Sequence, residues 1–234
     1  MYEIISKLKF EKLLSKKLKA ICQAGGKLNE KLFLKIVNFS EKNKIKFYSM
    51  YGQTEATARM SILNPKHASK KIGSIGKAIS GGKFYLIDNK QKKIYLPNKS
   101  GQLVYEGKNV SMGYAKDVKD LKLGNINNYR IYTGDIASFD KDGYYFIVGR
   151  KKRFIKILGK RINLDEVEEL IEKKGYEAQC KLQDEFLLIN LTQKKRNVEN
   201  LIKGVANDLE INSSLVKIRF IKKIKRNNFG KKIH

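Results

Sequence analysis

Cysteine is scarce in this chain: Cys22 and Cys180 are the only two, and they lie far apart. They form no metal-type cluster, and without an export signal they read as free thiols in the cytoplasm. Long apolar runs are also missing. None approaches the roughly 18 residues that span a bilayer, so no transmembrane segment is expected. The opening MYEIISKLKFEKLLSKKLK interleaves its apolar residues with lysines and has no signal-peptide pattern. Internal repeats and low-complexity segments are absent. Acidic residues are few, 23 against 50 basic ones, for a formal charge of +27. Such an excess can mark a nucleic-acid or anionic-membrane partner. Here the lysines are scattered along the whole chain among Asn and Ile. General compositional bias is therefore the first reading and a polyanion-binding face the second. What the chain does have is 41% apolar residues over 234 positions. That excludes a disordered chain and suffices for one large domain or two smaller ones.

The pattern along the chain is α/β at first. Residues 1–20 read as a basic amphipathic helix, with Ile5, Leu8, Leu13, Leu14 and Leu18 near helical spacing. A short apolar run over 20–24 ends in Gly25-Gly26. Asn29 can cap a helix reaching about Ser40, and a second apolar run spans 46–50. In a parallel α/β sheet, ligands bind beyond the carboxyl ends of the strands. From about 72 to 149 the pattern changes to short strands and turns (KFYLID, KIYL, QLVYEG, YYFIVG), a β-rich subdomain. A final α+β unit is predicted after the basic run Arg150–Arg153. It has a strand pair around 154–162, helices near 164–174 and 198–209, and strands near 177–182, 186–191 and 216–221. The boundary divides the chain into residues 1–151 and 152–234.

Four clusters carry chemistry. In Tyr51-Gly52-Gln53-Thr54-Glu55 a ring can stack on a base, a hydroxyl can meet a phosphate oxygen and a carboxylate can hold Mg²⁺. The bland alternative is a helix start capped by Thr54. Tyr132-Thr133-Gly134-Asp135 can grip two hydroxyls through its carboxylate, or simply form a turn. The run Gly149-Arg150-Lys151-Lys152-Arg153 reads alone as a solvated face. Lys231, after Gly230, can reach a distant site as a mobile cation or belong to a frayed basic end.

Taken in order, AGGKL (24–28), YGQTEAT (51–57), GSIGKAISGGKFYLID (73–88), GQLVYEGKNVSMGY (101–114), the long stretch from Tyr132 to Asn163, LDEVE (164–168) and RNNFGK (226–231) resemble the acyl-adenylate-forming superfamily. Its members include acyl-coenzyme A synthetases, firefly luciferase and the adenylation domains of peptide synthetases. One such match arises easily by chance; seven in order do not. The resemblance covers residues 20–234 and implies the C-terminal part of the family's large domain, an α/β layer plus a β-rich subdomain, followed by a small mobile α+β domain. It assigns roles by residue. Gly25 and Gly26 would line the acyl and adenine pocket, and Tyr51 would stack on adenine. Thr54 would contact the α-phosphate and Glu55 would bind Mg²⁺. Asp135 would hold the ribose, with Arg150 beside it. Lys152 would be the hinge, where many relatives have Asp. The loop Lys156–Gly159 would face the thiol acceptor, and Lys231 would bridge acid and phosphate during adenylation.

The family's glycine-rich Ser/Thr loop for the ATP phosphates has no counterpart here, and glycine is scarce before residue 25. The resemblance therefore implies a truncated or split acid–thiol ligase, expected to be inactive alone. It would use ATP and Mg²⁺ on a small carboxylic or fatty acid. Coenzyme A or the phosphopantetheine of an acyl carrier protein would accept the acyl group, and a separate polypeptide is one possible source of the N-terminal half. ATP or coenzyme A phosphates would then be the anions that the positive charge meets. A non-catalytic remnant that binds nucleotide weakly, or only pairs with another subunit, is the alternative. Nucleic-acid binding ranks last.

Overall fold

The computed structural model describes residues 2, 17–57, 59–193, 198–226 and 232. Two compact units divide the chain, Met1–Val148 and Gly149–His234. Most of the expected N-terminal helix, residues 3–16, lies outside the described residues. Residues 17–19 are not helical, and Ala20 already opens the first strand.

The first unit begins with β1 (Ala20–Gln23), α1 (Glu30–Lys42) and β2 (Lys46–Tyr51). β1 and β2 pair in parallel, from Ala20↔Lys46 to Gln23↔Ser49. α1 starts where the sequence predicts, because the Asn29 side chain accepts the Lys31 N–H at 2.9 Å. Phe33, Ile36, Val37 and Ser40 recur at helical spacing and are buried. The Phe33 ring meets Phe47 edge-on at 5.2 Å, fastening the helix to β2. This strand–helix–strand unit sends the loops after β1 and β2 out at the same sheet edge.

The remaining strands are β3 (Ser61–Leu63), β4 (Ser74–Ala78), β5 (Gly82–Ile87), β6 (Lys93–Ile94), β7 (Gly101–Gly107), β8 (Arg130–Phe139) and β9 (Tyr145–Arg150). Together they form one nine-stranded sheet of order β1-β2-β3-β4-β9-β8-β7-β5-β6. The α/β layer and the β-rich region are thus continuous, joined where β2 pairs antiparallel with β3. Gly76 of β4, with φ +83°, lets that strand lie close against β3: a Cβ there would sit 2.1 Å from the Ile62 carbonyl oxygen. Met60, Leu86, Leu103 and Tyr105 are fully buried in the core beneath.

The second unit opens with the hairpin β10 (Phe154–Ile157) and β11 (Lys160–Asn163). There follow α2 (Leu164–Lys173), β12 (Ala178–Gln183), β13 (Phe186–Leu191), α3 (Val198–Asp208) and β14 (Val216–Phe220). β12 runs antiparallel to β13, and β14 returns parallel to β13 after α3. Val167 and Ile171 of α2, Leu187, Ile189 and Leu191 of β13, and Leu201 and Val205 of α3 form a core within this unit. Among the described residues, no helix is long and apolar enough to cross a membrane.

Candidate functional site

Two of the predicted clusters come together at the strand ends of the first unit. Tyr51 closes β2, and its hydroxyl donates to the Asp135 carboxylate at 2.5 Å across 84 residues of sequence. Asp135 is only 4% exposed. It reaches this position through a bulge. Pairing between β7 and β8 skips from Gln102↔Ile136 to Val104↔Tyr132, so Thr133, Gly134 and Asp135 stand opposite Leu103 alone. Gly134 takes φ +75° there. The Thr133 hydroxyl donates to the Leu103 carbonyl at 2.8 Å and accepts the Asp135 N–H at 3.1 Å, which fixes the turned-out carboxylate. A bulge re-aims a side chain in this way without ending the strand.

After Tyr51 the chain makes a one-turn 3-10 helix, Thr54–Ala56. Its cap position is Gln53, not Thr54, and no side chain caps it. The capping alternative for Thr54 therefore fails, and Thr54 is exposed. Gln53 instead donates its amide to the Thr133 carbonyl at 2.7 Å, a second tie between the two clusters. The Glu55 carboxylate accepts from the Tyr114 hydroxyl. That bond and a backbone N–H outweigh burial and hold its pKa below the usual carboxylate range. Sequence reasoning gave no role to Gln53, Asn109 or Tyr114. Asn109 accepts from the Tyr105 hydroxyl at 2.8 Å and donates to the Ala56 carbonyl at 2.9 Å. The Ser111 N–H meets the Glu55 carbonyl at 2.7 Å. The GKNVSMGY segment is therefore a brace under the 54–56 turn, a role that only the pairing of distant loops reveals.

Gly25 and Gly26 lie in the exposed loop after β1, on the same parallel edge as the 52–55 loop. The Gln23 side-chain amide donates to the Gly26 carbonyl, and its oxygen accepts from the Ser49 hydroxyl at 3.3 Å. Neighbouring strands thus hold this loop in place.

The other predicted residues belong to the second unit. Arg150 ends β9, and Lys152 sits exposed in a 3-10 turn, Lys151–Arg153. The reading of this basic run as a solvated face is corrected at Arg153, which is buried. Its guanidinium donates to Asp165 at 2.7 Å, to the Cys180 carbonyl at 2.9 Å and to Glu168. Lys156 lies on β10 and Gly159 in the two-residue tip of the β10–β11 hairpin, and both are exposed. Lys231 lies outside the described residues. Cys22 and Cys180 are free, as expected, the first exposed and the second buried. Among the described residues no group of three His, Cys, Asp or Glu side chains is placed to hold a metal ion.

The family model described as AMP-binding enzyme matches residues 1–115. A nonribosomal peptide synthetase of Emericella nidulans is 33% identical over 153 residues, covering 63% of this chain and 9% of its own. A 2-succinylbenzoate–CoA ligase of Oceanobacillus iheyensis is 32% identical over 134 residues, 57% of this chain and 27% of its own. In fold, the chain is similar to O-succinylbenzoate coenzyme A synthetase of Bacillus subtilis solved with AMP. The TM-score is 0.73 at 18% identity, over 99% of this chain and 48% of that one. The same synthetase has been solved with ATP and magnesium ion. The chain spans less than half the length of each of these proteins.

Proposed function

The chain belongs to the AMP-binding, adenylate-forming enzyme superfamily, and from that premise we propose that it supplies the adenine- and ribose-binding edge and the small second unit of an ATP-dependent carboxylic acid–thiol ligase. In such an enzyme a carboxylate attacks the α-phosphate of ATP, acyl-AMP forms with release of pyrophosphate, and a thiol then takes the acyl group. The thiol is coenzyme A or a carrier phosphopantetheine. The observation that carries this reading is the Tyr51–Asp135 pair, a buried carboxyl group and an aromatic ring brought together at the carboxyl edge of the sheet. A carboxylate has about four lone-pair sites. The Tyr51 hydroxyl donates to one of them and fixes the group's orientation, and ribose hydroxyls would be the further donors that this carboxylate takes. The ring of Tyr51 then offers its face to the base, beside the Gly25-Gly26 loop.

Thr54 is exposed toward solvent, available to a phosphate oxygen. Glu55 stays ionised at neutral pH and fits a hard cation. A lone carboxylate suits Mg²⁺ that arrives on substrate phosphates, and the ion would neutralise charge at the α-phosphate. By the family's pattern Arg150 would contact the nucleotide, Lys152 would be the hinge, and the Lys156–Gly159 loop would face the thiol. Lys231 would bridge carboxylate and phosphate. These steps are positioning and charge neutralisation rather than covalent chemistry by the protein. The phosphate loop has no counterpart in the sequence, so adenylation requires a segment that carries one. The same reading places the chain in the cytoplasm, where ATP and reduced thiols coexist.

Calorimetric titration of the 234-residue chain with AMP tests the site directly. Binding is expected, and Asp135→Ala is expected to weaken it about tenfold or more, in the range of a lost charge-assisted hydrogen-bond pair. Pyrophosphate exchange is expected to be absent from the chain alone and to appear when a segment with the phosphate loop is supplied, fused or in trans. Robust exchange by the chain alone would refute its dependence on that segment. A chain that binds no AMP and gains no exchange is the non-catalytic remnant instead.

A further inference from the structure

One cluster of buried charge lies apart from the nucleotide edge. Lys232 extends its ammonium to Glu168 at 2.9 Å, Glu172 at 2.7 Å and the Ala178 carbonyl at 2.5 Å. Three donors meet three acceptors, so the group is fully satisfied. The Lys232 side chain is 13% exposed and that of Glu168 6%. Glu168 and Glu172 share one face of α2, four residues apart. The other Glu168 oxygen is already held, by Arg153 and by the Cys180 N–H at 2.7 Å. Asp165 also binds Arg153 at 2.7 Å. Arg153 and Lys232 therefore share Glu168, with Asp165 as the further partner of the first and Glu172 of the second. Arg226 forms an isolated β-bridge with Lys232 and an ion pair with Glu177 at 2.7 Å, a second tie of these two residues to the unit. Burial works to lower the Lys232 pKa, but Glu172 and Glu168 outweigh it and raise it. Lys232 therefore stays charged throughout the neutral range.

This geometry gives two functional lysines anchored neighbours. Lys152 directly precedes Arg153, and Lys231 directly precedes Lys232. Both neighbours bind Glu168. We propose that Lys232 is a positioning residue: its clamp on Glu168, Glu172 and the Ala178 carbonyl ties position 232 to the second unit and thereby supports its sequence neighbour Lys231 in adenylation. The proposal rests on the ligase reading above. An undocked tail would have to be ordered at each turnover, whereas a docked one has that entropy paid in advance.

The test has two readouts. In the 234-residue chain, hydrogen exchange of the peptide covering residues 221–234 is compared among wild type, Lys232→Met and Glu172→Gln. Glu172 is half-exposed at the clamp's outer side, so its variant keeps the fold if Lys232→Met does not. Exchange about tenfold faster in the variants is expected, local opening being the less stable event that the clamp opposes. Unchanged exchange overturns the clamp. The second readout uses the chain complemented with a phosphate-loop segment. Lys232→Met should slow acyl-AMP formation about tenfold and leave thioester formation from pre-made acyl-AMP unchanged, whereas a merely structural role would slow both. If Lys231→Ala abolishes adenylation while Lys232→Met leaves it intact, the positioning role fails and the ligase reading stands. If Lys231→Ala changes nothing, the ligase reading fails at this lysine, and the positioning role fails with it.

Discussion

Leu158 shows at the scale of one residue how a local rule is broken at an exposed position. The β10–β11 register leaves a two-residue loop, Leu158-Gly159, with φ of +46° and +80°. Two positive φ angles make the turn that Asn-Gly favours, because it matches the twist of the strands. Leucine in that region pays a steric penalty of roughly 1–2 kcal/mol. At 84% exposure its side chain recovers nothing by packing. Leu158→Asn should therefore stabilise the second unit by about 1 kcal/mol, read as a higher urea midpoint with an unchanged slope. A lower midpoint would mean that the leucine makes a contact that offsets its strain. The basic run teaches the complementary lesson. Lys151, Lys152 and Arg153 look equivalent in sequence, yet only Arg153 is buried. Its burial is set by Asp165, Glu168 and the Cys180 carbonyl, none of which is its neighbour in the chain.

Among elements, the β5–β7–β8 ladder concentrates charge on one carboxylate. Glu106 on β7 accepts from Tyr85 of β5 at 2.9 Å and Arg130 of β8 at 2.8 Å, and pairs with Lys83 of β5 at 3.0 Å. Burial alone would raise its pKa, but these bonds outweigh it and hold it down to about 2. A depressed carboxylate contributes stability that is complete above its ordinary value, 4.5, and is lost as pH falls toward about 2. The melting temperature should fall across that window, and Glu106→Gln should flatten part of the fall while lowering the plateau at neutral pH. Asp140 contributes in the same direction: burial would raise it, and its bonds to Lys71 and the 142–144 backbone prevail. An acid limb unchanged in Glu106→Gln would show that the three partners are too solvent-screened to matter. Elements themselves were legible wherever a local signal fixed them. Asn29 and Asn163 cap helices whose apolar spacing marks the buried face. The β8 bulge was not legible, since nothing in Thr133-Gly134-Asp135 says which residue of β7 it will face.

At the scale of the whole molecule, the two units have separate cores. The second is built entirely from residues 155–218. Residues 149–234 expressed alone should therefore fold cooperatively, giving one urea transition and a dispersed amide spectrum. A molten or unfolded fragment would argue that this unit depends on the rest of the chain, and would weaken Lys152 as a hinge between independent bodies. The sequence by itself determined the parallel β1–α1–β2 unit, the α+β second unit and the family, because caps, hydrophobic periodicity and motif order are written over short stretches, whereas β3, β4 and β8 were not read from it. Only the tertiary structure decided that Tyr51 meets Asp135, that Gln53 and Asn109 brace the 54–56 turn, and that Glu168 takes both Arg153 and Lys232. Each of those contacts joins groups 15 or more residues apart. Which partner a buried polar group finds depends on strand register and on a bulge that shifts it, and a long-range register leaves no mark in the local pattern of the chain.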